Sequence, residues 1–325
     1  MGKKKSFKFF YGIPHAHTSF STGKGLPYEA FNYAKNNGLD FLAVTDHNSL
    51  LINEVTIQNK INSKWSLSKY MTNKFKKKTD NFTPLLGFET RTNSYGDFNI
   101  INPNYFFTGV LQNINLLILW MMNNPNAIVT INHPHKEILS LEHNEYLNKI
   151  ITSIEVGNGL FPTKYTRHDK YYYGLLDKGW ILGAINGQDN HKVNFGDSEN
   201  LTVCLSQELS TKYIIDAFRK RRTYSTESKT LKFYFTANDN LMGSILSISI
   251  KKIRFFIYCE DIKYKIKHIE IITNHNTIVK KISNINLNSI KYIYEHEIEP
   301  KQTWFVVRIY LEGNRIGISS PIFLI

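Results

Sequence analysis

Five short apolar runs in the first part of the chain end alike, each followed closely by a histidine or a carboxylate. The runs begin near Phe9 and recur at Phe41–Val44, Leu85–Phe88, Ala127–Ile131 and Trp180–Ile185; the polar residues that close them are His15 and His17, Asp46 and His47, Glu89, His133, and Asp189 and His191. A further strand-like run, Ser153–Val156, precedes Asn158. Amphipathic stretches separate the runs. In the first, Pro27 opens a helix, Ala30, Phe31 and Ala34 share its apolar face, and Gly38 supplies the left-handed stop. Strands alternating with helices predict an α/β fold around a parallel sheet. When such strands form a barrel, active sites assemble at their C-terminal ends, where these residues fall.

The residue types point to metal chemistry. His15-Ala16-His17 on an extended segment aims both imidazoles to one side, because the side-chain period is two. Asp189-Asn190-His191 repeats that spacing, and Glu89 is a carboxylate able to bridge two ions. Mixed imidazole and carboxylate ligation suits manganese, zinc or iron. Ions about 3.5–4 Å apart would activate a water and clamp the departing oxygen of an ester. Without ions, burying so many ionisable groups would be costly.

These strings resemble the polymerase and histidinol phosphatase (PHP) superfamily. The resemblance rests on His15-Ala-His17-Thr-Ser-Phe-Ser-Thr22-Gly23, Val44-Thr45-Asp46-His47-Asn48, Gly87-Phe-Glu89, Asn132-His133-Pro134, Ile154-Glu155-Val156 with Asn158-Gly159, and Gly187-Gln-Asp189-Asn-His191. Their order is that of its carbaryl-hydrolase-like branch. The resemblance implies a distorted (β/α)7 barrel with up to three divalent ions and phosphoesters as usual substrates. Carried over by position, His15, His17, Glu89 and Asp189 would hold the first ion, and Glu89 with His133 the second. His47 and His191 would hold the third. Glu89 and Asp189 would be the catalytic carboxylates, and a metal-bound hydroxide the nucleophile.

Two positions depart from the branch's pattern. Thr22 stands where a carboxylate is expected, so the third ion keeps two protein ligands. Asp97, in Gly96-Asp97-Phe98-Asn99, stands in place of histidine, and its shorter side chain could still offer the second ion an oxygen. Two ions are therefore expected. Glu155 and Asn158 could either contact substrate, or else orient a ligand or cap the next helix, and His135 reads as a residue of the rim or behind the ligands. His143, His168, His268, His275 and His296 read as ordinary surface or sheet residues.

After Thr230 the apolar period becomes two, as in Phe305, Val307, Ile309 and Leu311. Runs at Leu231–Thr236, Ile248–Tyr258, Ile266–Thr273 and Lys291–Glu297, with turns such as Asn238-Asp239-Asn240, predict a small antiparallel β-sandwich. The expected division is residues 1–228 for the barrel and 229–325 for the sandwich.

The net charge of +13 is uneven: +9 over residues 1–78, from thirteen lysines against four acids, −2 over 79–228 and +6 over 229–325. The densest cluster, Lys74, Lys76, Lys77 and Lys78, reads as a solvated helix, with steering of an anionic substrate or nucleic-acid binding as the alternative. Arg219, Lys220, Arg221 and Arg222 close another helix, where cations favour the dipole and could meet phosphate. The most apolar stretch, Val110–Met122, is too short and too interrupted to span a membrane. Met1–Ser6 fits a myristoylation pattern by weak match only. Two cysteines, Cys204 and Cys259, make no disulfide framework, so a reducing, cytoplasmic setting is expected. The functional expectation is a metal-dependent hydrolase acting on a small anionic substrate, a phosphoester first, with no membrane partner. Carboxylic-ester or carbamate hydrolysis on the same site is the alternative within enzymes. A non-catalytic metal- or nucleic-acid-binding protein with a decayed site is the alternative outside them.

Overall fold

The computed structural model describes residues 6–57 and 60–325, so the myristoylation-type pattern, apart from Ser6, lies outside the described residues. β1 (Lys8–Ile13), α1 (Pro27–Asn36) and β2 (Phe41–Val44) form the expected unit. α1 buries Pro27, Ala30, Phe31 and Ala34, and Gly38 follows its C-terminus at φ +78°. A short α2 (Asn48–Leu51) leads to a hairpin of β3 (Glu54–Ile57) and β4 (Lys60–Ser63), then to α3 (Lys64–Lys76). The hydroxyl of Ser63 caps α3 by accepting from the Ser66 amide.

β5 (Thr83–Arg91) turns straight into β6 (Asp97–Ile101). Gly96 makes the turn at φ +82°, and its carbonyl accepts from the hydroxyl of Thr92 at 2.7 Å. So short a connection can join only antiparallel strands. The expected parallel sheet is therefore a mixed one: β6 runs antiparallel between β5 and β7 (Ile128–Ile131), the latter preceded by α4 (Ile114–Met122). The chain continues through α5 (Glu145–Ile150), β8 (Ile151–Leu160), β9 (Lys164–Arg167), α6 (Asp169–Asp177), β10 (Gly183–Asn186), β11 (Leu201–Ser206), α7 (Thr211–Arg219) and β12 (Thr223–Thr226).

The sheet is mixed. Its order is β10-β8-β7-β6-β5-β2-β1-β11-β12, parallel at β1–β2, β2–β5, β7–β8 and β8–β10. Among the described residues no backbone ladder closes this path into a barrel. Hydrogen bonds through side chains link β10 to β11 and β12: the Asn186 amide donates to Thr202 Oγ1, that hydroxyl donates back to the Asn186 carbonyl (both 2.9 Å), and Asn186 Nδ2 donates to the Thr226 carbonyl.

Beyond β12 come β13 (Lys232–Ala237), β14 (Asn240–Leu241), β15 (Ile245–Leu246), β16 (Lys252–Glu260), β17 (Ile266–Thr273), β18 (Thr277–Ile282), β19 (Ser289–Glu297), β20 (Trp304–Leu311), β21 (Ile316–Ser319) and β22 (Ile322–Leu324). β14, β13, β16 and β19 make one antiparallel sheet, while β21, β20, β17 and β18 extend the first sheet through β12–β21 pairing. Phe233, Phe235 and Phe255 of the one share an apolar cluster with Phe305, Val307 and Ile309 of the other. The period-two pattern marks one buried face of β20, yet both are covered. Trp304 and Val306 join the cluster beneath β7 and β8, with Trp304 stacked on Tyr173 of α6. Near the junction, fully buried Glu227 accepts from Arg167 Nε at 2.7 Å and from the Ile316 amide at 3.0 Å. No helix among the described residues is long and apolar enough to cross a membrane.

Candidate metal centre

The polar residues that close the runs come from one end of one sheet, in which β1, β2 and β5 are neighbours, β7 lies beyond β6, and β10 beyond β8. His15 and His17 follow β1, His47 follows β2, Glu89 lies within β5, His133 follows β7, and Asp189 and His191 follow β10. Loop backbones tie these ends together. The His17 amide donates to the Asn190 carbonyl at 3.0 Å, Thr45 N to the Ala16 carbonyl at 2.9 Å, and Glu89 N to the Asp46 carbonyl at 3.1 Å.

Glu89 is at the centre, 2% exposed. Its Oε1 lies 3.2 Å from both His15 Nε2 and His133 Nε2; its Oε2 lies 3.4 Å from His17 Nε2 and 3.0 Å from His47 Nδ1. Asp189 Oδ1 lies 3.1 Å from His17 Nε2 and 3.5 Å from His15 Nε2. Three sets of ligand-type atoms each fall within 4.8 Å: His15, His17 and Asp189; His15, Glu89 and His133; His17, His47 and His191.

Partners behind the imidazoles fix their orientation. His15 Nδ1 is 2.8 Å from Oε1 of the fully buried Glu155, whose Oε2 accepts from the His133 amide at 2.6 Å and from Asn158 Nδ2 at 2.7 Å. Of the roles open for Glu155 in the sequence, the geometry is that of orientation. His17 Nδ1 meets Ser21 Oγ at 3.2 Å, and that hydroxyl donates to Asp46. Asp46 also accepts from the amide and hydroxyl of Thr18, at 2.7 and 2.6 Å. It therefore secures the loop and stands outside the three sets. Asn132 Nδ2 donates to Glu89 Oε1 at 2.8 Å. Sequence reasoning missed this contact and the part played by Ser21, because neither residue type announces itself as a ligand.

The electrostatics follow from crowding opposite charges where water is scarce. Burial opposes the charge on His15, but Glu89, Glu155 and Asp189 outweigh it and hold the imidazole well above its ordinary range. Glu89 is opposed by burial too, yet His15, His133 and His17 hold it well below the usual carboxylate value. Asp189, likewise against burial, is pushed down to about 2 by His15 and His17. Both carboxylates are thus anionic at neutral pH.

Other expected residues fall elsewhere. Asp97 is paired across the ladder with Arg91, two residues beyond Glu89, which is roughly 7 Å along a strand. Its Oδ1 faces Arg91 Nε at 3.3 Å, and it joins none of the three sets. Thr22 is exposed. His135 is exposed and paired with Glu137 at 2.6 Å. His168, read as ordinary, lies close enough to Glu155 and His133 to feel their charge; burial, its largest influence, holds it below the usual imidazole value. Arg219 and Arg221 are committed to backbone carbonyls, of Ala127 at 3.1 Å and Ile181 at 2.7 Å, just before β7 and β10 and so at the strand ends opposite those that carry the cluster.

The PHP domain family profile matches residues 14–191, a span that includes every residue of the three sets. No curated protein matches the chain. Among solved structures, the chain is similar to a two-domain protein of Bacteroides vulgatus containing a predicted PHP-like metal-dependent phosphoesterase. That match has 17% identity and a TM-score of 0.52, covering 94% of this chain and 91% of that one. It also resembles a putative metal-dependent phosphoesterase of Bifidobacterium adolescentis at 12% identity and a TM-score of 0.37, covering 56% of this chain and 88% of the other.

Proposed function

We propose that this chain, which belongs to the PHP domain family, is a metal-dependent hydrolase whose preferred substrates are small phosphate esters. The observation that carries the reading is Glu89, one buried carboxylate faced by four imidazoles at 3.0–3.4 Å. The donor set fits divalent ions. Imidazole nitrogens and carboxylate oxygens meet at one point, and the nitrogens of His15 and His17 that face away are held by Glu155 and by Ser21, as metal-binding histidines require.

In this reading His15, His17, Glu89 and Asp189 hold the first ion, Glu89 and His133 the second, and His47 and His191 the third. Asp97 is retained as a rim carboxylate for the second. Manganese, zinc and iron all suit these donors. Bound there, such ions would supply Lewis acidity toward an ester oxygen and lower the pKa of water. The protein contributes position and charge. Glu89 and Asp189, the proposed catalytic carboxylates, stay anionic; Glu155 fixes the His15 ring; and half-buried His47, His133 and His191 form the edge that a substrate would meet.

The finer architecture belongs to the same proposal. Residues 1–228 are read as the distorted (β/α)7 barrel, with β10 linked to β11 and β12 through Asn186, and 229–325 as the β-sandwich. The motif order supports the carbaryl-hydrolase-like branch. Cys204 and Cys259 are buried, unpaired thiols pushed upward by burial, which supports a reducing, cytoplasmic setting and removes them as nucleophiles.

The test is turnover by the purified protein loaded in turn with manganese, zinc and iron, using a phosphate and a carboxylate ester of the same phenol. Preference for the phosphate is expected. Preference for the carboxylate would select the carboxylic-ester or carbamate alternative, and no turnover with any combination would select a binding protein.

A further inference from the structure

α4 is apolar at every position but the exposed Asn115, yet only Leu117 and Met121 are buried. Leu116, Leu119 and Met122, spaced at i, i+3 and i+6, form a continuous outward stripe and are 52%, 60% and 73% exposed. Exposed Tyr105 packs edge-on against Trp120 of the same helix, 5.4 Å between ring centres, and extends the patch toward α3. Isolated exposed leucines are ordinary on soluble proteins; a contiguous stripe of them marks a contact surface.

What borders the stripe identifies its occupant. Lys69 Nζ donates to the carbonyl of Asn104, beside Tyr105, at 3.1 Å. Lys69, Asn73 and Lys76 line a shallow depression with Asn102 and Pro103, on the loop leading to α4. Lys74 is exposed on the same helix, and Lys77 and Lys78 are exposed just beyond it. Residues 55–79 contain seven lysines and no acid, and residues 98–136 contain no acid at all. On the α3 side the stripe is bordered by lysines without an acid, and on the other side by α5, whose Glu145 is paired with Lys149 at 2.5 Å; apolar side chains beside so lysine-rich a border match an anionic lipid surface. At nine residues α4 is too short to cross a bilayer, so it would lie in the interface.

We propose that the stripe Leu116–Leu119–Met122 and the lysines of α3 dock this protein peripherally on an anionic membrane. The expectation of no membrane partner rested on spanning segments, which surface docking does not need.

The experiment is co-sedimentation of the full chain with phosphatidylcholine vesicles, with and without phosphatidylserine. Binding is expected only with phosphatidylserine, weakening as salt rises. Combined Leu116→Gln, Leu119→Gln and Met122→Gln should lower the partition coefficient about tenfold, as should Lys69→Ala with Lys76→Ala. Because these side chains are exposed, the melting temperature should not move. Four results would each overturn the proposal: no binding to anionic vesicles, equal binding to neutral ones, binding unchanged in the glutamine variant, or release of the vesicles by single-stranded DNA. A dimer in solution that the glutamine variant dissolves would assign the stripe to self-association instead and also overturn it.

Discussion

Glu155 Oε1 lies 2.8 Å from His15 Nδ1, and neither side chain reaches solvent. A carboxylate behind an imidazole fixes the ring's tautomer and makes its other nitrogen a better ligand. Glu155→Gln keeps the shape and removes the charge. Its metal affinity and turnover should fall by about 10–100-fold. Equilibrium dialysis against zinc, with a melting curve to show that the fold persists, checks this; unchanged affinity would mean that Glu155 merely fills space.

Gly187 gives an independent handle on the same contact. A Cβ there would stand 1.7 Å from Glu155 Oε1 and 2.3 Å from its Cδ. The carboxylate cannot retreat without losing His15, the His133 amide or Asn158. Gly187→Ala should therefore reproduce the loss of metal affinity in Glu155→Gln, and the two changes combined should cost little more than either alone. Additive losses would show that Gly187 acts by another route.

Glu89 touches four imidazoles, so Glu89→Gln should deplete bound metal more than any other single change in the cluster. Elemental analysis of protein purified without chelator supplies the measurement, with exposed His143→Ala as the control. Equal depletion in the two variants would remove Glu89 from the centre.

Motif and pattern made much of this architecture readable. Alternation of apolar runs with amphipathic helices located β2, β5, β7 and β8, and the polar residues ending them are those the fold brings together. What stayed hidden depended on which strand lies beside which. Nothing local in Asp97-Phe98-Asn99 announces a strand inserted antiparallel between β5 and β7, and that register sets Asp97 against Arg91 rather than Glu89. Glu155 kept more than one reading because its partner is 140 residues away. The second buried face of β20 was invisible for the same reason: Trp304 and Val306 are covered by another part of the chain.

Asp40 should govern part of the pH dependence of stability. Burial raises its carboxyl from 3.8 to about 6, against the lowering effect of the Tyr11 amide it accepts from. A folded-state value above the unfolded one means that the folded state binds the proton more tightly. The associated stability is complete below about 4 and is lost as pH rises through about 6. Asp40→Asn should thus gain stability relative to the parent across that window and hold the gain above it. Urea midpoints of both proteins from acid to neutral pH test this, and parallel curves would sink it.

The third set of ligand atoms, His17, His47 and His191, contains imidazoles alone. His17 has a single nitrogen to give, since Nδ1 meets Ser21, and that nitrogen already faces Asp189 at 3.1 Å. An ion there would be left with His47 and His191 as ligands of its own, because Glu89 Oε2, 3.0 Å from His47 Nδ1, and Asp189 Oδ1, 3.7 Å from His191 Nδ1, serve the other two ions in this reading. Thr22, on the loop after His17, cannot supply an anion, because a neutral hydroxyl is a poor ligand for a divalent ion. The unmodified protein should accordingly bind two ions tightly. Thr22→Asp should add a third and, if the chemistry uses it, raise turnover of an aryl phosphate. Stoichiometry and rate measured side by side decide the matter: three tightly bound ions in the unmodified protein would mean that another residue completes the set.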